Sequence, residues 1–204
     1  MKINIFYARE RIGLSRIVSL VIIFALFISQ NAWSQIAPVF GEELSLIGVI
    51  LIGIAVIGRI WCGSFICGFK NTTLVMNGPY SACRNPLYFF SFIGALGIGL
   101  TTQTLTIPTV ITIIFWIYYT PVMSTEEKKL MGIHGAEFEK YCARVPRFFP
   151  SFKNYTAPAE YTVSTKHFQV CLKEVVWFII AAGIIDFIEE LHSLHYLPNK
   201  ILIY

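Results

Sequence analysis

Long runs of apolar residues, separated by short polar segments, make up most of this chain. Five runs approach the roughly 20 residues that an α-helix needs to cross the hydrocarbon core of a bilayer. They cover residues 17–33, 44–61, 87–100, 105–123 and 175–191. Only residues 101–104 separate the third run from the fourth, which predicts a tight helical hairpin. The pattern predicts an all-α, polytopic membrane protein with about five transmembrane helices.

The composition supports this prediction. Hydrophobic residues make up 55% of the 204 residues and charged residues only 14%, whereas soluble domains carry about 25% charged residues. With no internal repeat, residues 1–204 are predicted to form a single integral membrane domain. The net charge of +4 does not predict a nucleic-acid partner, because basic loops attracted to anionic lipid headgroups account for it. No protein partner is predictable from the sequence.

The distribution of Lys and Arg predicts the orientation. Four basic residues precede the first run, three lie at or after the end of the second, and eight lie between residues 128 and 173. The segments between the first and second runs and between the third and fourth contain none. The prediction is a cytoplasmic N-terminus and an outside C-terminus, with the polar motifs facing the cytoplasm. A cleaved signal peptide is the alternative for the N-terminus and leaves the later spans unchanged.

The cysteines show neither a C-x-x-C pair nor zinc-type spacing. They are Cys62, Cys67, Cys83, Cys142 and Cys171. On a cytoplasmic face thiols stay reduced, so we expect no disulfide. Near the C-terminus Asp186, Glu189, His192 and His195 recur every three residues, and such side chains can bind metals. We favour a helix end emerging into the interface and predict no metal site.

A first polar block, residues 78–88, precedes the hairpin and reads GPYSACRNPLY. Asn85 followed by Pro86 predicts a helix start, because Asn is a preferred N-cap and Pro fits the first helical position. The first-turn N–H groups of such a helix can bind an anionic group. Arg84 and Tyr88 flank this start and offer a guanidinium and a phenol. The block therefore predicts a site for the anionic part of a ligand.

A second block follows the hairpin. Thr125 is predicted to cap a cytoplasmic amphipathic helix that carries Glu126 and Glu127 in its first turn. These carboxylates either serve that capping arrangement alone or bind ribose hydroxyls or an ammonium group of a ligand.

Further along the second block, Tyr141, Arg144 and Arg147 form a basic and aromatic segment. Such a segment is typical of an interfacial anchor. It also suits a lid that closes over a cofactor and excludes water. The two interpretations are compatible.

Together the blocks resemble the isoprenylcysteine carboxyl methyltransferase and phospholipid N-methyltransferase superfamily of membrane enzymes, which use S-adenosylmethionine. That superfamily carries G-P-Y-x-x-x-R-H-P-x-Y, a helical hairpin, and then E-E-x-x-L-x-x-x-F-G-x-E-Y-x-x-Y-x-x-R-V-P-R-F-F-P. The resemblance covers residues 74–152, which we take as the cofactor-site region. This chain departs from the pattern by carrying Asn85 in place of His, His134 in place of Phe and Phe138 in place of Tyr.

The resemblance implies an S-adenosylmethionine-dependent methyltransferase acting on a lipidic or lipid-anchored acceptor, such as an isoprenylcysteine carboxylate or a phospholipid headgroup. It implies catalytic roles for Arg84, Glu127 and Arg144. It implies a cofactor site formed by Asn85, Pro86, Tyr88, Glu126, Glu127, Tyr141 and Arg147. Two alternatives remain open: a catalytically silent membrane scaffold of the same fold, and an NADPH-dependent reductase of the sterol type. The paired carboxylates disfavour the reductase, because they repel a phosphate-rich ligand.

Overall fold

The computed structural model describes residues 29–31, 36–68, 73–194, 196 and 201–203. In this part of the chain six α-helices follow one another, together with a 3₁₀ turn at Phe152–Asn154. The helices are α1 (Pro38–Ile66), α2 (Pro79–Ala82), α3 (Pro86–Thr101), α4 (Thr106–His134), α5 (Ala136–Arg144) and α6 (Thr165–Ser193). Two short parallel strands, β1 (Ser29–Asn31) and β2 (Ile201–Ile203), pair with each other. Apart from that strand pair the described fold is helical, as predicted.

Two described helices, α1 and α4, are long and apolar enough to cross a membrane, at 29 residues each. Only 28% and 22% of their most apolar segments are buried inside the molecule, so most of their apolar surface faces outward. The helix α3 is apolar but has only 16 residues. The helix α6 covers the fifth expected span with 29 residues. Five spans therefore remain a prediction.

The expected first span, residues 17–33, lies outside the described residues except for Ser29–Asn31. These three residues form a strand, so the expectation of a helix is wrong there. Their pairing with Ile201–Ile203 is a contact across almost the whole chain, which a local hydrophobicity pattern does not show.

The predicted hairpin is present. The helix α3 ends at Thr101, and α4 begins five residues later at Thr106. Between them the Thr102 hydroxyl donates to the Gly99 carbonyl at 2.7 Å and lies 2.9 Å from the Thr104 hydroxyl. These hydroxyls pair with each other and with a backbone carbonyl where the chain reverses. The turn can therefore be buried without unpaired polar groups at these positions.

The contact between α1 and α3 depends on glycine. A Cβ atom added to Gly48 would lie 2.7 Å from the Gly97 carbonyl oxygen and 2.8 Å from the Thr101 nitrogen. A Cβ atom on Gly97 would lie 2.7 Å from the Gly48 carbonyl oxygen. The two backbones therefore touch directly, as is common where small residues line a helix interface in a membrane.

A cation also joins these helices. Arg59 of α1 donates to the Ser91 hydroxyl of α3 and, at 3.2 Å, to the Glu174 carboxylate of α6. Its guanidinium lies 5.5 Å from the ring centroid of Phe178. A charge at such a position in an apolar helix is stable because it is paired and hydrogen-bonded. The positive-inside pattern, to which Arg59 also belongs, gives no sign of these contacts.

The expected amphipathic helix starting at Thr125 is wrong. The helix α4 continues through Pro121, and the Thr125 hydroxyl donates to the Pro121 carbonyl at 2.8 Å instead of capping a new helix. A proline inside a helix removes one N–H from the ladder and crowds the carbonyl four residues earlier, but here it does not end the helix. The helix α4 ends before Gly135, whose φ of 51° lies in the left-handed region that favours glycine. The amphipathic helix is α5, which begins after this residue.

The expectation that no disulfide forms is also wrong. Cys67, directly after α1, is bonded to Cys171 of α6, across a sequence separation of 104 residues. The close approach of the two helices brings them together: a Cβ atom on Gly63 would lie 3.2 Å from the Cβ of Cys171. The thiols of Cys62, Cys83 and Cys142 are free. Spacing along the chain carries no signal for such a distant pair.

We predict that Gly48→Ala destabilises the protein, because the new methyl group meets backbone atoms of α3 that cannot rotate away. Overpacking of this kind costs about 1–3 kcal/mol. The measurement is the midpoint of thermal unfolding in detergent. Gly53→Ala is the matched control on the same helix, since nothing lies within 4 Å of its added Cβ atom. An equal midpoint for both variants would contradict the direct contact.

Candidate functional site

A cavity of about 240 Å³ opens where the end of α1, the start of α3, the last part of α4 and the helix α5 meet. One part of its wall is charged and the rest is largely apolar. Seven of the predicted site residues line it: Arg84, Asn85, Pro86, Tyr88, Glu126, Glu127 and Tyr141. The structure thus brings the two sequence blocks together around one cavity.

The first block is held in place by its glycine. Gly78 has a φ of 61°, and a Cβ atom there would lie 2.5 Å from the ring of Phe65 at the end of α1. Its N–H donates to the Thr156 carbonyl at 2.7 Å. Only glycine satisfies both the positive φ and the close approach. This turn starts α2 and positions Tyr80 and Arg84 at the cavity.

The carboxylate of Glu127 is the centre of the charged part. Its Oε1 accepts a hydrogen bond from Asn85 Nδ2 at 3.1 Å and lies 3.6 Å from a terminal nitrogen of Arg84. Its Oε2 lies 3.1 Å from Nε of Arg147. Two guanidinium groups contact this one carboxylate, and their remaining N–H groups suit an anionic part of a ligand. Lys129 and Glu126 also line the cavity, so its four charged lining residues balance in charge.

Asn85 directly precedes α3, so the predicted helix start at Pro86 is confirmed. The predicted side-chain cap is wrong, because the Asn85 amide makes no capping bond. Its Nδ2 donates to Glu127 and, at 3.0 Å, to the Arg147 carbonyl. A cap would need the Asn85 side-chain oxygen to accept from a first-turn N–H, whereas the two bonds donated by Nδ2, one of them to a charged acceptor, fix the orientation of the amide.

The second block is fastened to the first by backbone hydrogen bonds. The Arg84 N–H donates to the Pro146 carbonyl at 2.9 Å, and the Ser151 N–H donates to the Ala82 carbonyl at 2.9 Å. The Tyr141 hydroxyl donates to the Tyr80 carbonyl at 2.7 Å. Residues 146–151 therefore form a strap across α2 with fixed geometry, whether or not they also act as a lid.

The side chain of Phe148 anchors this strap. It is buried in an aromatic cluster of the α3–α4 hairpin together with Phe92, Phe115 and Trp116. The neighbouring Phe149 is 65% exposed. Such an exposed aromatic ring is consistent with the interfacial anchor predicted for this segment.

The two arginines of the second block differ in placement. Arg147 contacts Glu127 and donates from a terminal nitrogen to the Ser124 hydroxyl at 2.6 Å. Arg144 donates to the Lys140 carbonyl at 3.4 Å and lines a separate surface depression beside Tyr155. The structure brings Arg147 to the charged cluster and leaves Arg144 outside the cavity.

Two buried donors at the cavity have no hydrogen-bond partner among the described residues: the hydroxyl of Tyr80 and Nε of Arg84. Leaving a buried donor unsatisfied costs about 1–3 kcal/mol. Native proteins retain few such groups, and each calls for an explanation such as a catalytic role or a bound water or ion. Burial raises the pKa of Tyr80 well above its ordinary value, and neighbouring Cys62 and Tyr141 raise it further, so the phenol stays protonated.

Tyr80 is absent from the sequence-predicted site, although it belongs to the G-P-Y part of the first block. Its position in that motif was the available signal. The same motif is also compatible with a tyrosine that only packs. That its hydroxyl lacks a hydrogen-bond partner is visible only in the structure.

Three of the possible metal ligands near the C-terminus, Asp186, Glu189 and His192, lie among the described residues. In the described ranges, no group of three or more His, Cys, Asp or Glu side chains has an arrangement that could hold a metal ion. His192 is buried and its ring nitrogen Nδ1 lies 3.0 Å from the Ile188 carbonyl. His195 lies outside the described residues.

Comparisons with known proteins identify relatives of this chain. Residues 39–137 match the phospholipid methyltransferase family. The protein-S-isoprenylcysteine O-methyltransferase of Schizosaccharomyces pombe is 30% identical over 81 residues, 40% of this chain and 34% of that protein. No solved structure matches the chain.

Two relatives match over nearly the full length. The nickel-cobalt-cadmium resistance protein NccN of Alcaligenes xylosoxydans xylosoxydans is 32% identical over 97% of this chain and 92% of its own. The cobalt-zinc-cadmium resistance protein CzcN of Cupriavidus metallidurans is 33% identical over 92% of this chain and 86% of its own. The chain belongs to the isoprenylcysteine carboxyl methyltransferase and phospholipid methyltransferase superfamily of membrane proteins, and within it to the group of NccN and CzcN.

We predict that Asn85→Asp destabilises the ligand-free protein by about 1–3 kcal/mol, because a donor is lost and a second carboxylate faces Glu127. The unfolding midpoint in detergent measures the effect. The penalty should shrink as the pH falls, since the introduced carboxyl then becomes protonated and can donate again. Asn77→Asp is the control, because the exposed Asn77 only accepts, at 3.4 Å from the Thr156 hydroxyl. A pH-independent loss would contradict the Asn85–Glu127 bond.

Proposed function

We propose that this protein is an S-adenosylmethionine-dependent methyltransferase that acts on a lipidic or lipid-anchored acceptor. The observation that carries the proposal is the cavity itself. Both family motif blocks line it, its charged part pairs one carboxylate with two arginines, and two of its buried donors lack partners. Methylation of an acceptor at the membrane surface is the activity that best fits this combination.

The chemistry of the lining fits the methyl donor. The amino-acid end of that molecule carries a carboxylate, for which the guanidinium of Arg84 offers donors in the charged part of the cavity. Glu126 and Glu127 offer acceptors for ribose hydroxyls or the amino group. When bound, S-adenosylmethionine supplies an electrophilic methyl group. The roles of these residues remain proposals.

The protein's own contribution is orientation and exclusion of water. Tyr141 and the strap fix the wall of the cavity, while α1 and α4 present apolar surfaces along which a lipid acceptor can approach. An acceptor carboxylate needs only to be held and partly desolvated. An ammonium acceptor must first lose a proton, and the carboxylate of Glu126, which lines the cavity, is our candidate for the base.

The positive-inside pattern supports a cytoplasmic site. The Cys67–Cys171 bond lies at the same end of α1, however, and disulfides are typical of oxidising compartments. Labelling of a cysteine placed at the exposed Lys153, using a membrane-impermeant maleimide on intact cells, distinguishes the two sides. Labelling without permeabilisation would contradict the cytoplasmic placement.

We predict that S-adenosylhomocysteine binds the purified protein saturably in calorimetric titration and that NADPH does not. Glu127→Gln and Arg84→Ala should each weaken binding about tenfold or more, since charged hydrogen bonds contribute about 1.5–3 kcal/mol. Glu160→Gln is the control, because Glu160 is exposed and lies outside the cavity. Unchanged affinity in both cavity variants, with the proteins folded, would contradict the proposed site.

Arg144→Ala, in the same titration, tests the remaining catalytic assignment. Its position outside the cavity predicts an affinity close to that of the unmodified protein. A loss as large as that of Arg84→Ala would place Arg144 in the site after all. Binding of NADPH alone would favour the reductase, and binding of neither ligand by folded protein would favour the silent scaffold.

The relatives NccN and CzcN are named for metal resistance, and their near full-length similarity favours a shared role. We propose that methyl transfer in this cavity is how the present chain would contribute to metal tolerance. In a deletion strain carrying the Glu127→Gln variant, growth on nickel, cobalt or cadmium should then fall to the level of the deletion, while Glu160→Gln restores it. Full metal tolerance in the strain with Glu127→Gln would contradict the proposal that tolerance depends on this cavity.

A further inference from the structure

We propose that the protein binds anionic lipid headgroups at a basic and aromatic surface next to the strap, which we call the headgroup surface. It is formed by Arg144 of α5, by Lys153 and by the exposed rings of Phe149, Phe152 and Tyr155. None of these residues lines the cavity, so the proposal does not depend on methyl transfer. It also gives a role to Arg144, which the structure leaves outside the cavity.

The headgroup surface carries positive charge that no carboxylate compensates. Between residues 140 and 159 the chain has four basic residues and no Asp or Glu. Of these, Arg147 pairs with a carboxylate of the cavity. The side chains of Lys140, Arg144 and Lys153 are exposed and form no ion pair within the described part of the chain. An anionic partner is therefore favoured at this surface.

The guanidinium of Arg144 lines a depression that can receive a phosphate group. The depression has a volume of about 500 Å³, and Asn77, Asn154 and Thr156 add polar side chains to its lining. The Nε of Arg144 donates to the Lys140 carbonyl at 3.4 Å, which leaves the two terminal nitrogens for a ligand. The paired N–H groups of a guanidinium match the oxygens of a phosphate.

The exposed rings support a position at the membrane surface. The ring centroid of Phe149 lies 6.4 Å from that of Phe89, in the first turn of α3, and 6.5 Å from that of Trp116 in α4. The ring centroid of Tyr155 lies 6.1 Å from that of Trp61, near the end of α1. The rings therefore lie beside the apolar helices. Aromatic side chains next to basic ones are typical of the membrane–water interface.

Anionic lipid accounts for both features of the headgroup surface. A soluble anion would pair with Arg144 and Lys153 but would leave the rings of Phe149 and Phe152, 65% and 61% exposed, in contact with water. A leaflet that contains anionic lipid covers the rings with its acyl boundary and pairs the cations with its phosphates. The combination of charge and apolar surface therefore favours a lipid over a soluble partner.

The first experiment measures the thermal unfolding midpoint of the full-length protein in nonionic detergent. Phosphatidylglycerol or phosphatidylcholine with the same acyl chains is added to the micelles. A lipid that binds the folded protein raises the midpoint, and we expect phosphatidylglycerol to raise it by about 2–4 °C more than phosphatidylcholine. This difference should disappear in the double variant Arg144→Gln/Lys153→Gln.

The matched control is Lys166→Gln/Lys173→Gln, which removes the same charge from exposed positions of α6. It should keep the full difference between the two lipids. An equal loss in both double variants would overturn the headgroup surface, because the lipid would then respond only to overall charge. A difference that persists in Arg144→Gln/Lys153→Gln would overturn it as well.

The second experiment uses the unmodified protein, so it does not depend on the folding of a variant. The additional effect of phosphatidylglycerol should shrink between about 50 mM and about 500 mM salt, because salt screens exposed charges. Inorganic phosphate and polyglutamate, compared at constant ionic strength, should raise the midpoint much less. Equal effects of the two lipids, or an equal rise with either soluble anion, would overturn the proposal. None of these outcomes bears on binding of the methyl donor.

Discussion

The site depends on the pairing of the Glu127 carboxylate with its three partners. This carboxylate comes from α4, yet it contacts Arg84 and Asn85 before α3 and Arg147 after α5. A partly buried carboxylate is stable only when it is paired and hydrogen-bonded, and removing one partner of such a pair is costly. The requirement to satisfy this one charge therefore draws the two motif blocks to the same place. The cavity follows from that convergence.

The membrane helices make this convergence geometrically available. The backbone contact of Gly48 with Gly97 brings α1 against α3, and the short turn after Thr101 returns the chain directly into α4. Since α3 begins at Pro86 and α4 carries Glu127 near its far end, the hairpin delivers both ends to the same surface. Phe65, at the end of α1, then supports the turn at Gly78.

Sequence patterns predicted what depends on spacing and local chemistry. Apolar runs identified the described long helices, Asn85–Pro86 located the start of α3, and the motif blocks contained most of the cavity lining. Sequence patterns failed where a contact with a residue distant in the chain determines the local structure. Asn85 binds Glu127 instead of capping its own helix, Thr125 lies inside a helix that continues through Pro121, and Cys67 meets Cys171 from the other end of the chain. Local sequence contains no record of these competing contacts.

The departures from the superfamily pattern have a consistent physical explanation. A histidine in place of Asn85 would also present an N–H donor, so the bond to Glu127 does not depend on which of the two residues is present. Phe138 is 2% exposed in an apolar cluster with Tyr141 and Val145, where the hydroxyl of the expected tyrosine would need its own partner. His134 ends α4 immediately before the turn at Gly135 and does not line the cavity. None of the three substitutions removes a charge from the Glu127 cluster, so they give little support to a silent scaffold.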